Sequence, residues 1–145
     1  MSILVFSEEI NKFKMKDPWG VLYIGGKVRM YNSGIEVATL DILHNDSVLA
    51  LSFGQTHPKF RRLGIGTWIR AIATWSAKRA GFKKVVQESV FLQNTPKTPR
   101  PTSAYIMNKL GFSINKRSNN MSENRSINLS RNIKNVNAVI RNIRG

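Results

Sequence analysis

The run Thr56-His57-Pro58-Lys59-Phe60-Arg61-Arg62-Leu63-Gly64-Ile65-Gly66-Thr67 sets two glycines and two arginines between a strand-like segment and a helix-like one. Glycine lets a backbone come close to a ligand. The unpaired amide hydrogens of a helix N-terminus face bound anions with the helix dipole behind them. With Arg61 and Arg62 beside those amides, the residue types describe a cradle for a pyrophosphate, and so for a nucleotide-like cofactor. The pattern lacks both the Gly-Lys-Ser/Thr ending of the nucleotide P-loop and the third glycine of the dinucleotide fingerprint. Taken alone, a Gly-x-Gly after a strand is equally well a plain tight turn.

Such a cradle needs a strand before it and a helix after it. Ile65, Trp68, Ile69, Ile72 and Trp75 recur at the three- and four-residue spacing of an amphipathic helix. Lys78 and Arg79 in its last turn complement the dipole, and Gly81 suits a left-handed cap. Upstream, strands are predicted near 21–24, 27–31, 35–43 and 47–55, an antiparallel meander turned at Gly25-Gly26, Asn32-Ser33-Gly34 and Asn45-Asp46. Ile3–Phe6 reads as a short strand, followed by a helix capped at Ser7 and ended by Asp17-Pro18. Downstream, Val85–Phe91 reads as a strand and Pro96–Pro101 as a surface loop. A helix from about Thr102 to Leu110 follows, then a terminal hairpin of Phe112–Lys116 with Ser126–Ser130, and a last short helix through Ile133, Val136 and Ile140. The order gives a single α+β domain over residues 1–145.

The chain has 23 Lys+Arg against 8 Asp+Glu, and the excess is uneven. Residues 1–17 are neutral, whereas Lys59 to Arg117 holds thirteen bases and a single acid, Glu88. Such a field attracts polyanions: nucleic acid, an acidic protein or a phosphorylated cofactor. The absence of cysteine excludes disulfides, thiolate metal sites and a cysteine nucleophile, and His44 and His57 are too few for a zinc centre. No apolar run approaches the roughly 18 residues of a membrane span. Glu8-Glu9 so close to the start argues against a signal peptide, which makes the cytoplasm the expected location.

Arg61-Arg62-Leu63-Gly64-Ile65-Gly66 resembles the Gln/Arg-x-x-Gly-x-Gly/Ala acetyl-CoA signature of the GNAT N-acetyltransferase superfamily, and His57-Pro58 stands where that family often has Val-x-Pro. Gly81-Phe82, the strand Val85–Phe91, Asn94 and Asn108-Lys109-Leu110-Gly111-Phe112 continue the likeness in order over about sixty residues. The resemblance implies a mixed, mostly antiparallel sheet flanked by helices, with a V-shaped opening between its two central strands. It implies acetyl-CoA as cosubstrate and transfer of the acyl group to an amine. The amides of Arg62, Leu63, Gly64, Ile65, Gly66 and Thr67 would hold the pyrophosphate. Phe53, Gly54, Gln55 and Thr56 would hydrogen-bond the pantetheine arm, with Arg61 and Asn94 completing the cofactor site.

The chain departs from the family at its proton donor. Where many relatives carry a tyrosine four residues before the Gly of Leu-Gly-Phe, this chain has Met107. Tyr105, two residues earlier, is turned about 200° away on a helix. For the general base the candidates are Glu88, Asp41 and Glu36; Glu88 alternates with Val86 and Val90, and partial burial on their face would raise its pKa. The loop holding Pro96–Pro101 is about six residues longer than usual, and there is room for one helix before Val21 where many relatives have two. The loop should border the substrate side, and fewer covering elements suggest an open acceptor site, suited to a macromolecule better than to a small molecule. The alternative is a non-catalytic or DNA-modifying GNAT-like protein that binds nucleic acid through its basic surface.

Overall fold

A computed structural model describes residues 2–61, 63–91, 103–117 and 122–145. The chain opens with helix α1 (Ser2–Lys12) and then runs through four strands, β1 (Trp19–Ile24), β2 (Lys27–Asn32), β3 (Ile35–His44) and β4 (Val48–Thr56). A 3-10 turn at Pro58–Phe60 leads into α2 (Ile65–Arg79), followed by β5 (Lys84–Phe91), α3 (Ser103–Leu110), β6 (Ser113–Arg117), β7 (Ser122–Asn128) and α4 (Lys134–Ile143).

The seven strands form one sheet in the order β1-β2-β3-β4-β5-β7-β6. Every pairing is antiparallel except β4 with β5, which are parallel and joined by the α2 crossover. The hairpin turns fall where glycine tolerates a positive φ, at Gly25 (65°), Gly26 (74°) and Gly34 (79°). At the β3–β4 turn the Asn45 side chain instead accepts from the amides of Ser47 and Val48.

The registers sort the sheet into two faces. Val28 pairs with Leu40, and Leu49 with Val85, all four fully buried under the helices. α2 is the hub of that layer, touching α1, α3 and α4 as well as β2 through β5. The opposite face leaves Leu22, Ile24 and Leu43 exposed.

Three expectations for the N-terminal segment need correction. Ile3–Phe6 is helical, not a strand, and Ser7 lies inside the helix instead of capping it. Phe6 and Ile10, one helical turn apart, are both completely buried, and Phe6 meets Tyr23 and Phe82 edge to face. Packing at the i, i+4 spacing outweighs the slight β preference of Ile and Val. The helix ends at Lys12, with Phe13 bonding back to the Ile10 carbonyl, well before Asp17-Pro18. Near the other end, β7 begins at Ser122, so its pairing with β6 lies earlier than the expected Ser126–Ser130.

Candidate functional site

The parallel pairing of β4 and β5 stops early. It runs from Val48↔Lys84 to Leu51↔Gln87, after which β4 continues beside β3 alone and β5 beside β7 alone. The two strands therefore diverge into a wedge whose β4 wall, Phe53, Gly54 and Gln55, is exposed. One side chain closes the apex. Gln87, buried, donates through Nε2 to the carbonyls of Leu51, Ser52 and Glu88, each at 3.1 Å, and so satisfies backbone acceptors that the lost pairing would leave bare.

At the mouth of the wedge stands the N-terminus of α2. Gly64 is its N-cap, in the left-handed region at φ 84°, with no side chain capping the helix. The first intrahelical bond runs from the Trp68 amide to the Gly64 carbonyl. Among the described residues no acceptor meets the amides of Ile65, Gly66 or Thr67, as the geometry of a first helical turn dictates. Three parallel N–H groups with the dipole behind them are the physical requirement for an anion cradle. Trp68 packs against Trp19, and Trp19 against Phe60, with ring centroids 5.1 and 6.1 Å apart; these rings fix the loop that precedes the cradle.

The structure distributes the other predicted residues as follows. Arg61 is exposed, its Nε donating to the Thr56 carbonyl at 3.1 Å, while Arg62, Asn94 and the Pro96–Pro101 loop lie outside the described residues. Leu63 is exposed beside the cradle, and Ile65 and Thr67 are buried. His57 is a surface residue whose Nδ1 accepts from the Lys59 amide, in keeping with a lead-in role. Glu88 is the first residue past the last β4–β5 pair and is half-buried at the wedge. Asp41 points away from the helices and pairs with Lys27 at 3.1 Å, across its own strand pairing, and Glu36 pairs with Arg29 at 3.1 Å. Met107 is completely buried, and Tyr105 is 56% exposed on another side of α3.

The expected sharing of a face by Glu88 and Val90 does not hold. Gln87 pairs with Arg125 and Val90 with Glu123, so three steps along β5 match two along β7. This bulge inserts one residue and reverses the alternation: Val90 is buried on the helix side with Gln87, whereas Glu88 stays with Val86 on the other.

Sequence reasoning missed the polar groups beneath the wedge. Arg70, one turn into α2, donates from Nε to Gln87 Oε1 at 2.9 Å and from Nη1 to the Gly66 carbonyl at 3.1 Å. Its other nitrogen lies on Gly54, where an added Cβ would stand 2.8 Å from Nη2. Burial pushes the guanidinium pKa down to about 10. Beside this pair, the buried Arg125 donates to the buried Glu123 at 2.6 Å and bonds Asn108 of α3. The one available signal was an amide residue alternating with Val85 at a core-facing position of β5, Gln87; Arg70 lies opposite the Ile65–Ile69–Ile72 stripe, on a helix buried nearly all round.

Two clefts of about 150 and 390 Å³, one lined by Gly111, Asn128 and Lys134 and the other by Phe13, Trp19 and Tyr31, lie away from the wedge. Among the described residues no cluster of His, Asp and Glu is arranged to hold a metal ion, and no helix is long and apolar enough to cross a membrane.

The sequence matches no protein-family model and no curated protein. Solved structures nevertheless share its architecture. The ribosomal-protein-S18-alanine N-acetyltransferase of Escherichia coli superposes with a TM-score of 0.57 at 12% identity, over 76% of this chain and 74% of that one. A GNAT family acetyltransferase from Elizabethkingia anophelis with acetyl-CoA bound gives 0.55 at 15% identity, over 70% and 74%. The PaiA N-acetyltransferase of Thermoplasma acidophilum in complex with coenzyme A gives 0.57 at 13% identity, covering 70% of this chain and only 59% of that one. Together with the single parallel pair, the wedge beside it and the glycine-started helix at its mouth, these likenesses establish that the chain has the GNAT fold.

Proposed function

We propose that the chain is an acyl-CoA-dependent N-acyltransferase, with acetyl-CoA as cosubstrate. The observation that carries this reading is the row of unpaired amides at Ile65, Gly66 and Thr67, aimed from a helix N-terminus at the open end of the β4–β5 wedge. Acetyl-CoA supplies an activated thioester when bound. The amides hold its diphosphate, and the β4 edge from Phe53 to Thr56, which has left β5 and of which Arg61 takes the last carbonyl, offers strand-like hydrogen bonds to the amide-containing arm. Rate gain then comes from positioning and from backbone dipoles at the carbonyl.

Glu88 is the base this reading favours, because it stands at the wedge while Asp41 and Glu36 are each committed to an ion pair on the neighbouring strands. It accepts the proton of the attacking amine. The acceptor amine belongs to a small molecule or to a macromolecule. Isothermal titration with acetyl-CoA tests the reading. The parent protein is expected to give saturable heat and Gly64→Glu none, since that variant strains a φ of 84° and sets a carboxylate against the phosphates. Absence of heat with the parent protein overturns it.

The net charge of +15 favours a second reading, in which the same fold holds nucleic acid. Its strongest support is the segment after Gly111, where Arg131, Lys134, Arg141 and Arg144 are exposed or half-exposed around α4.

A further inference from the structure

Arg70 reaches the wedge from the helix layer, spanning from Gly66 at the mouth to Gln87 at the apex. Its surroundings satisfy its hydrogen-bond donors only in part, and its charge not at all. Nε and Nη1 donate to a neutral amide and a backbone carbonyl, and no described carboxylate forms an ion pair with it. By contrast, the buried Arg125 pairs with Glu123, and Arg79 with Glu9. A guanidinium partly withdrawn from water without a counter-ion keeps an uncompensated charge, so the site gains when an anion arrives.

The position of that charge matters. Nη2 rests on Gly54, the middle of the exposed β4 wall, and any residue with a Cβ at 54 would meet it at 2.8 Å. The guanidinium therefore lies under the β4 edge, one helical turn further into the wedge than the amides at the α2 N-terminus. Gln87 holds it there and is itself tied to both strands at the apex. An extended arm anchored by its diphosphate at the mouth and laid along β4 carries its far, reactive end toward this charge.

The geometry points to Arg70 as the group that stabilises the departing thiolate of the acyl donor. This rests on the acyltransferase reading. The amine nitrogen bonds to the acyl carbon, the carbon–sulfur bond breaks with its electron pair passing to sulfur, and the amine proton passes to Glu88. A fixed positive charge lets sulfur leave as the anion, so no proton donor is needed at the position of the buried Met107. Charge stabilisation here takes the place of acid catalysis.

The test is the acidity of the thiol of bound coenzyme A, read from the ultraviolet absorption of its thiolate as pH is raised. Desulfo-coenzyme A, which lacks the sulfur, reports binding alone. In the parent protein the bound thiol should titrate about one unit or more below free coenzyme A. Arg70→Lys should retain most of that shift and Arg70→Met should abolish it, while desulfo-coenzyme A binds all three proteins equally well. A bound thiol that titrates in the parent protein like free coenzyme A overturns the assignment, as does a shift that survives Arg70→Met. Equal loss of affinity for both ligands in Arg70→Met also overturns it, because the guanidinium then serves the phosphates. Should Arg70→Met fail to fold, the parent protein and Arg70→Lys still decide. If neither ligand binds the parent protein, the acyltransferase reading falls first and takes this one with it.

Discussion

Met107 shows how one side chain redirects a site. It is completely buried, on the stripe that also buries Leu110, so the position serves packing and offers no proton. Restoring a tyrosine there should not restore an acid. We expect Met107→Tyr to lower stability by about 1–3 kcal/mol, the usual cost of overfilling a packed core, with no increase in kcat. Chemical denaturation and initial rates check this, and a faster enzyme of unchanged stability would contradict it. At this scale the sequence was legible where backbone chemistry is at stake: Gly64 stands at the start of the helix as its position foretold, and the structure adds that it does so in the left-handed conformation. It was not legible for Arg70, because nothing in a linear string says that an arginine opposite the apolar stripe of α2 reaches a glycine two elements away. Nor did it foretell the separation of Glu88 from Val90, which a single inserted residue in β5 decides.

Among elements, α1 shows how a helix is locked to its neighbour by a few groups. Glu9, 7% exposed, accepts from Arg79 of α2 at 2.8 Å and pairs with Lys12 at 3.1 Å. Burial by itself would raise the Glu9 carboxyl, but the hydrogen bonds from Arg79 and Lys12 outweigh it and hold the pKa below the ordinary 4.5. A carboxyl depressed in the folded state contributes stability that is complete above its unfolded value and is lost as pH falls through the folded one. Glu9→Gln should therefore cost about 1–3 kcal/mol at neutral pH, with the difference from the parent shrinking below about pH 4.5. Urea unfolding at several pH values measures it, and a pH-independent difference would show that the charge is immaterial. The strands, turns and α2 followed from alternation, glycine pairs and helical spacing. The first element misled because Ile3 to Phe6 satisfies a strand pattern locally, and only the burial of Phe6 and Ile10 on one face settles it as helix.

For the molecule as a whole, charge is the dominant fact. A net +15 on 145 residues raises the affinity for any polyanion through counterion release and makes that affinity fall steeply with salt. Binding of a DNA or RNA oligomer is accordingly expected to weaken by at least tenfold between about 50 and 200 mM salt, whereas a cofactor clasped by backbone amides loses far less. Fluorescence anisotropy with both ligand types over a salt series separates the two. Salt-sensitive nucleic-acid binding without any affinity for coenzyme A would favour the second reading over the first. The antiparallel meander and the helix after it were readable from element order, whereas the mixed sheet and its opening followed from the resemblance carried by the glycine signature and the residues downstream of it.

The parallel pairing at the centre of the sheet has a consequence for how the molecule comes together. β1 to β4 form through hairpins, each strand meeting the one beside it in sequence, whereas Leu51 must find Gln87, 36 positions along the chain. Contacts of such separation assemble late, after loop-closure entropy has been overcome. The sheet is thus a locally built meander, β1 to β4, sutured to β5 along four residue pairs, and the place where a nucleotide-like guest would settle is the unsewn end of that suture.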